Sequence, residues 1–253
     1  MQTSERFNFY AENDFSETYF PPPNSHSTLQ CLNLPPQLIE CEVSIIIPAR
    51  DEADRLPAAL NAATKLTNFK GEPLAPRRYE IIVLANNCVD DTAEIARRWQ
   101  KSDSNLPPVH VAEITLPPDE AHVGRARKIL MDAAFQRFWS AGKRRGVIAS
   151  TDGDTRVSET WMAAILAEIK NGADAVSGRI LVDEYELKSL DDETRAFHLR
   201  DVGYRLLAAE LEGFLFPEPH DSLPRHHQHF GANFAVTADA YCRAEVVTRA
   251  NGL

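Results

Sequence analysis

Two aspartates separated by one glycine, Asp152 and Asp154, are the residues of this sequence best suited to carry chemistry. They follow the short apolar run 147–149, which is typical of a buried strand that ends at the edge of a sheet. In open α/β sheets, ligands bind at the carboxyl ends of the strands. Two carboxylates this close repel each other, so a divalent cation that carries a phosphorylated ligand is the simplest occupant. The alternative is an acidic turn that caps the next helix.

The elements that position this pair follow from the hydrophobic periodicity. Short apolar runs with strand character alternate with segments whose apolar residues recur at helical spacing. This alternation predicts an α/β fold with a mostly parallel sheet that is covered by helices on both faces. The predicted strands are 43–47, 79–84, 109–114, 147–149 and 173–180, and the predicted helices are 53–64, 92–100, 124–139, 158–170 and 193–211.

Composition limits the class of protein. The chain has 253 residues, of which 43% are hydrophobic and 25% charged, as expected for an ordinary globular protein. It has 27 Lys and Arg against 37 Asp and Glu, and this net charge of -10 argues against nucleic acid as a partner. No apolar run has membrane-spanning length, so we expect a cytoplasmic protein without an integral membrane segment. The four cysteines lack the spacing of a zinc site or a disulfide framework.

The two ends of the chain differ from this regular middle. Residues 1–40 are rich in proline and are predicted to form an amino-terminal arm, with a short helix near residues 5–12, ahead of a domain at 41–253. The proline- and histidine-rich stretch 214–229 is typical of a loop that covers a site. Its histidines lack a regular framework for metal binding, and we expect His229 to line a substrate pocket instead.

Five blocks in this order resemble one family. The blocks VSIIIPARDEADRL, YEIIVLANNCVDDTAEIA, HVGRARKIL, ASTDGDTRV and HFGANFAVTADAY, between residues 43 and 242, are similar to those of the family 2 glycosyltransferases. The resemblance implies a GT-A-like, Rossmann-related fold, and TDGD resembles the DxD motif of that family. It also implies transfer of a sugar from a UDP- or GDP-linked donor to an acceptor hydroxyl, with inversion and with Mg²⁺ or Mn²⁺ as cofactor.

The resemblance also assigns roles to individual residues. Asp154 would hold the metal ion, with Asp152 helping or touching the ribose, and both count as catalytic. Asn86 falls where many members carry an aspartate, and its amide is compatible with uracil or guanine. The remaining assignments are a nucleotide-binding set, Pro48, Ala49, Arg50, Glu52, Asn86, Asn87, Arg127 and Lys128, and a set beside the donor sugar and acceptor, His229, Gly231 and Asn233.

The sequence departs from the family pattern at its carboxyl end. Similar proteins continue to an acidic motif that supplies a general base, whereas here Asp239 and Glu245 are the only acids near residues 243–253. We therefore expect the amino-terminal portion of a longer enzyme, or a trimmed form. One alternative is a non-catalytic protein that binds nucleotide sugars. Another is a sugar nucleotidyltransferase, because IPARDEADRLP resembles the start of those enzymes, but the phosphate loop they need is missing. The acceptor and the oligomeric state are not encoded by a motif.

Overall fold

The computed structural model describes residues 32–100, 105–218, 221, 223–228 and 230–250, with the backbone alone for 245–250. Strands and helices alternate over most of this range. In chain order the elements are β1 (Val43–Ala49), α1 (Leu56–Thr64), β2 (Tyr79–Asn86), α2 (Thr92–Gln100), β3 (Val109–Ile114), α3 (Val123–Ser140), β4 (Val147–Thr151), α4 (Trp161–Lys170), β5 (Ala175–Ser177), α5 (Glu184–Ser189), α6 (Asp192–Leu215), β6 (Asn233–Thr237) and α7 (Ala238–Ala250).

The strands form one six-stranded sheet in the order β3-β2-β1-β4-β6-β5. β1 is parallel to β2 and to β4, and β2 is parallel to β3. β6 lies antiparallel between β4 and β5. The predicted mostly parallel α/β sheet is confirmed, and the antiparallel strand β6 is a feature that the periodicity did not predict.

Helices cover both faces of the sheet because successive strand residues point to opposite sides. Ile45 and Ile47 of β1 pack with Leu60 of α1 on one face, where α4 also lies. Ile46 packs on the other face with Leu130 of α3, and α7 joins that cluster. Every residue of β1 and β2 is buried, as expected for central strands that are covered on both sides.

Some predicted boundaries change. β1 continues through Pro48 to Ala49, although the proline was expected to end the strand at Ile47; Pro48 pairs in register with Leu84. The strand predicted at 173–180 is reduced to Ala175–Ser177. Part of the predicted arm, residues 32–40, packs on the α3 face, where Leu32 is buried. The helix predicted near residues 5–12 lies outside the described residues. No helix in the described residues combines the length and apolar character needed to cross a membrane.

A buried polar cluster, called here the Glu80 cluster, lies near the amino ends of the strands. The Glu80 carboxylate accepts hydrogen bonds from Ser44 (2.6 Å), Gln37 (2.9 Å) and Arg137 (2.9 and 2.5 Å), and His110 Nε2 lies 3.2 Å away. Burial alone would raise the pKa of Glu80, but the bonds from His110 and Arg137 hold this pKa well below its usual range. Both carboxylate oxygens are therefore satisfied by the chain itself.

Candidate functional site

The predicted site residues Ala49, Glu52 and Asp152 meet at the carboxyl edge of the sheet, where β1 and β4 end. Gly153, between the two aspartates, lies against the loop that follows β1. A Cβ added to Gly153 would stand 3.4 Å from both Ala49 Cβ and Glu52 Cγ. The turn that carries Asp152 and Asp154 therefore packs directly on the loop that carries Glu52, and a larger residue at 153 would crowd this contact.

Asp152 is held by Arg127, which reaches the edge from α3. The Arg127 guanidinium pairs with the Asp152 carboxylate, and its Nε donates to Ser150 Oγ at 3.1 Å. The pKa of Asp152 is nevertheless raised, first by burial and then by the negative charge of Asp154, against the opposing effect of Arg127. One arginine does not offset the cost of burying Asp152 beside Asp154, so the edge favours additional positive charge.

Glu52 adds a third carboxylate to this edge. Its backbone N–H donates to Thr92 Oγ1 at 2.8 Å, which anchors the loop to the start of α2. Its Oε2 is buried and accepts no hydrogen bond from the residues that the structure describes, although Arg55 Nη1 lies 3.6 Å away. The pKa of Glu52 is raised by burial and by the charge of Asp154. The charge of the exposed Asp154 thus contributes to the raised pKa values of both Glu52 and Asp152.

Asp154 opens into a cleft of about 1040 Å³. The cleft lies on the α4 side of the edge, and the segment 178–183 that follows β5 forms its outer wall. Thr151 lines the cleft, and its buried Oγ1 has no hydrogen-bond partner in the described part of the chain. Other lining residues are Arg55, Arg156, Trp161, Arg179, Tyr185 and Asn233. The cleft is large enough for a drug-sized or nucleotide-sized ligand.

Asn86 and Asn87, both predicted to bind nucleotide, have different surroundings. Asn86 is 2% exposed, and its Nδ2 has no hydrogen-bond partner among the described residues. The side chain of Asn87 instead donates to the carbonyl of Leu116 (2.9 Å) and accepts from its N–H (3.0 Å). Asn87 also has a positive φ of 51°, which asparagine tolerates better than most residues. The Asn87 amide therefore stabilises the loop, whereas the Asn86 amide retains an unused donor.

Two predicted cationic residues are engaged with the protein. Arg50 is exposed, and its Nη1 donates to the carbonyl of Ala121 at 2.9 Å. Lys128 lies at the contact between α3 and α7, where its ammonium bonds Asp132 (2.9 Å) and the Tyr241 hydroxyl (3.3 Å). The structure therefore brings Arg127, but not Lys128, to the aspartate pair.

The residues assigned to the sugar side are partly brought together. A Cβ added to Gly231 would stand 2.9 Å from three atoms of the Arg127 side chain, so the chain passes closely over this arginine. Asn233 accepts from Trp161 Nε1 at 2.8 Å and donates to the carbonyl of Arg179 at 3.2 Å. Its amide joins α4 to the outer wall of the cleft. His229 lies outside the described residues.

A group that sequence reasoning missed lies in the neighbouring loops. Ligand atoms of Asp51, Cys88 and Asp90 lie within 4.8 Å of one another, so these residues form a group that could hold a metal ion. Both carboxylates already accept backbone hydrogen bonds, Asp51 from Val89 (2.7 Å) and Asp90 from Ala53 (3.0 Å). These bonds account for the group as a link between the two loops. The sequence signal was available, because both loops follow the carboxyl ends of adjacent strands.

Comparisons with known proteins identify relatives, and each match covers only part of this chain and part of the relative. Glycosyltransferase AglE of Haloferax volcanii is 30% identical over 139 residues, and the match covers 54% of this chain and 39% of that protein. The uncharacterized glycosyltransferase Rv0539 of Mycobacterium tuberculosis is 25% identical over 137 residues, covering 54% of this chain and 48% of that protein. The chain therefore spans less than half the length of these curated relatives.

The solved structures that match this chain are less similar to it in sequence. The mannosyltransferase PcManGT from Pyrobaculum calidifontis, in complex with GDP-Man and Mn²⁺, has 18% identity and a TM-score of 0.41, covering 62% of this chain and 42% of that chain. Glucosyl-3-phosphoglycerate synthase from Mycobacterium tuberculosis, in complex with Mn²⁺, UDP-glucose and phosphoglyceric acid, has 13% identity and a TM-score of 0.44, covering 87% of this chain and 63% of that chain.

The family itself is assigned by a match over most of the chain. The sequence profile described as Glycosyl transferase family 2 matches residues 44–230, which include the strands β1 to β5 and the aspartate pair. This range covers more than half of the 253 residues. The resemblance noted in the sequence is therefore confirmed, and the chain belongs to glycosyl transferase family 2.

Proposed function

We propose that this chain forms the donor site of a metal-dependent glycosyltransferase, which moves a sugar from a UDP- or GDP-linked donor to an acceptor hydroxyl with inversion. One observation carries the proposal: three carboxylates, Asp152, Asp154 and Glu52, lie together beside a large cleft, and two of them have raised pKa values although Arg127 pairs with Asp152 and Arg55 with Glu52. An arrangement of this kind favours a divalent cation and the diphosphate that it accompanies.

The donor set at this edge fits Mg²⁺ or Mn²⁺. Asp154 is exposed to the cleft, and Asp152 and Glu52 lie close enough to interact with its charge; Glu52 Oε2 forms an ion pair with Arg55 at 3.6 Å but accepts no hydrogen bond from the described residues. All are hard oxygen ligands, which these ions prefer. Asp154, assisted by Asp152, would hold the ion, which when bound supplies Lewis-acid stabilisation of the negative charge on the leaving diphosphate. In this assignment the ion belongs to the aspartate pair, and the Asp51 group is a structural link.

The chain's own residues would bind and orient the nucleoside. In this assignment Pro48 and Ala49, at the end of β1, would lie beneath the nucleoside, and the buried Nδ2 of Asn86, which has no partner among the described residues, would donate to a base carbonyl, as found in uracil or guanine. Arg127 keeps Asp152 in place through its ion pair, and Gly231 allows the chain to close over that arginine. Arg127 is thus a positioning residue in this proposal.

Calorimetric titration of the whole chain with UDP and with GDP, with and without Mn²⁺, tests the donor site. We expect Mn²⁺-dependent binding of one nucleotide and a loss of at least about tenfold in affinity in Asp154→Asn, roughly 1.4 kcal/mol. The matched control is Asp174→Asn, which changes an exposed aspartate near the start of β5 that pairs with Arg145. This control should bind like the unmodified chain.

The outcomes separate the proposal from its alternatives. Absence of binding to either nucleotide would reject the donor site, and equal losses in both variants would place the metal elsewhere. Release of nucleotide from a panel of UDP- and GDP-sugars, supplied with simple acceptor sugars, then measures turnover. Binding without turnover under any of these conditions would favour the non-catalytic nucleotide-sugar-binding protein.

A further inference from the structure

Helix α6 has two apolar faces, and only one of them packs on the domain. On the packed side Ala209 and Gly213 are buried. His198, Val202 and Leu206 on the same side line a small cavity of about 160 Å³ against the chain at 179–182 and 226–228. A surface helix of a globular protein normally places polar residues on the side opposite such a contact.

The opposite side of α6 is apolar as well. We call it the α6 stripe and define it by five residues that are between 58% and 76% exposed: Phe197, Tyr204, Leu207, Leu211 and Phe214. The intervals of seven, three and four residues place these side chains in one row along the helix. The row spans 18 residues, or about 27 Å at the usual rise of an α-helix. A helix that is hydrophobic on both sides is normally covered on both sides.

The stripe contains one positive charge, and two negative charges lie beside it; none of the three forms an ion pair within the described residues. Arg200 interrupts the row, and its guanidinium donates to the carbonyl of Ala196 in the same helix at 3.2 Å. Glu210 and Glu212 flank Leu211 at the other end of the row. In the part of the chain that the structure describes, neither of these carboxylates forms a hydrogen bond or an ion pair.

We propose that the α6 stripe is a dimer interface that packs against the same helix of a second copy in the antiparallel direction. The stripe has the heptad positions that antiparallel helix pairs use, with Phe197, Tyr204 and Leu211 at one position and Arg200, Leu207 and Phe214 at the other. With the twofold axis between Tyr204 and Leu207, each residue of the first set faces one of the second. Phe197 then meets Phe214, and Tyr204 meets Leu207.

The same register satisfies the charges. Arg200 of each copy faces Leu211 of the other and comes between Glu210 and Glu212 of that copy. A parallel pair would instead place Arg200 opposite Arg200, which is unfavourable for like charges. Charge complementarity therefore favours the antiparallel pair, and a sequence of this kind is complementary to itself.

The charges of α6 argue against a lipid surface as the occupant. The helix carries five acidic residues and three arginines, whereas helices that lie on anionic membranes are rich in Lys and Arg. The whole chain has a net charge of -10, which adds to the repulsion. The dimer proposal does not depend on the proposed function, because none of the stripe residues lines the cleft at Asp154.

Sedimentation equilibrium of the full chain, over roughly 1 to 100 µM, measures the dimer directly. We expect a concentration-dependent dimer, and we expect Leu207→Glu to weaken it at least about tenfold, because a charge replaces an apolar side chain beside the twofold axis, where it faces Tyr204 of the other copy. Leu199→Glu is the matched control, since it makes the same change on the same helix at an exposed position outside the stripe. Circular dichroism checks that both variants keep the helical content of the unmodified chain.

A charge exchange tests the direction of the pair. Arg200→Glu should weaken the dimer, and the additional changes Glu210→Arg and Glu212→Arg should restore it. A chain that is monomeric throughout overturns the proposal. Vesicles of phosphatidylcholine and amide hydrogen exchange of α6 would then show whether lipid or residues 1–31 cover the stripe. Equal dimerisation of the Leu207 and Leu199 variants also overturns it, and failure of the charge exchange rejects the antiparallel register.

Discussion

Two polar clusters lie at opposite ends of β1 and β2, and they differ in how their charges are satisfied. In the Glu80 cluster, neighbouring side chains satisfy both oxygens of one buried carboxylate, and its pKa is lowered. At the other end, Asp152 and Glu52 have raised pKa values, and buried atoms of Glu52, Thr151 and Asn86 have no partner among the described residues.

Under the proposed function, the difference distinguishes a structural cluster from a binding site. A buried polar group that lacks a partner costs free energy, so native proteins satisfy nearly all such groups. The chain does so for Glu80 with residues up to 57 positions away in the sequence. Gln37 Oε1 in the Glu80 cluster also lacks a partner among the described residues, so it is the raised carboxylate pKa values that distinguish the carboxyl edge. Under the proposed function, the partners missing at that edge come with the ligand.

The largest expected effect comes from a substitution that breaks the Glu80 cluster. Glu80→Gln removes the charge that Arg137 pairs with and should lower the free energy of unfolding by about 3–5 kcal/mol, as for other broken buried pairs. Asp154→Asn makes the same change at the other end and should alter stability by no more than about 0.5 kcal/mol, because Asp154 is exposed. Urea unfolding measures both. A comparable loss in the two variants would contradict the distinction.

A second pair of hydroxyl substitutions sharpens the comparison. Ser44→Ala removes a bond to the Glu80 carboxylate and should cost about 1.5–3 kcal/mol of unfolding free energy, as for bonds to charged groups. Thr151→Val replaces a buried hydroxyl that has no partner, and this change should be neutral or stabilising. Thermal and urea unfolding of both variants provide the test. A clear destabilisation by Thr151→Val would show that this hydroxyl is satisfied in solution.

The smallest expected effect is that, as the pH falls, nucleotide binding is lost before the fold is lost. Glu52 and Asp152 have raised pKa values, so as the pH falls they are protonated in the fold before they would be in the unfolded chain. Their protonation does not destabilise the fold, but it removes charge that binds a cation. Glu80 has a lowered pKa, so its contribution to stability is complete above the usual carboxylate range and is lost progressively as the pH falls from that range toward its lowered pKa.

Mn²⁺-dependent nucleotide affinity should therefore fall about tenfold as the pH is lowered toward the usual carboxylate range, while the fold remains intact. Titration calorimetry and circular dichroism on the same samples measure the two properties. The variant Glu52→Gln removes one of the interacting carboxylates and should move the midpoint of the binding loss to lower pH. Simultaneous loss of binding and structure would contradict the assignment.

Much of the fold could be predicted from the sequence, because the strands that build it are continuous apolar runs. The segment 79–84 identified β2, and the acidic turn after residue 149 located the carboxyl edge. β6 was harder to predict, since its antiparallel placement depends on pairing with β4, which lies more than 80 residues earlier. Periodicity within a segment contains no information about such a partner.

The place where the candidate site residues gather could be predicted, but the contacts of the individual side chains could not. Asn86 and Asn87 are adjacent and chemically identical, yet one retains an unused donor and the other bonds Leu116, 29 residues later. Lys128 follows Arg127 directly, yet helical geometry points it toward Tyr241. Glu80 drew no prediction, because a single acidic residue in a strand is consistent with either a solvated or a buried position. These distinctions arise from contacts between distant segments.

The short edge strand β5 makes the two sides of the cleft unequal in rigidity. The inner side of the cleft lies at the end of the buried strand β4. The outer wall at 178–183 instead connects β5, which has only three residues, to α5, which buries none of its side chains. Local opening of that wall therefore costs far less free energy than unfolding of the sheet. Substitutions in the wall can accumulate at little cost to folding, so ligand preference on this side can diverge during evolution while the aspartate edge stays constant.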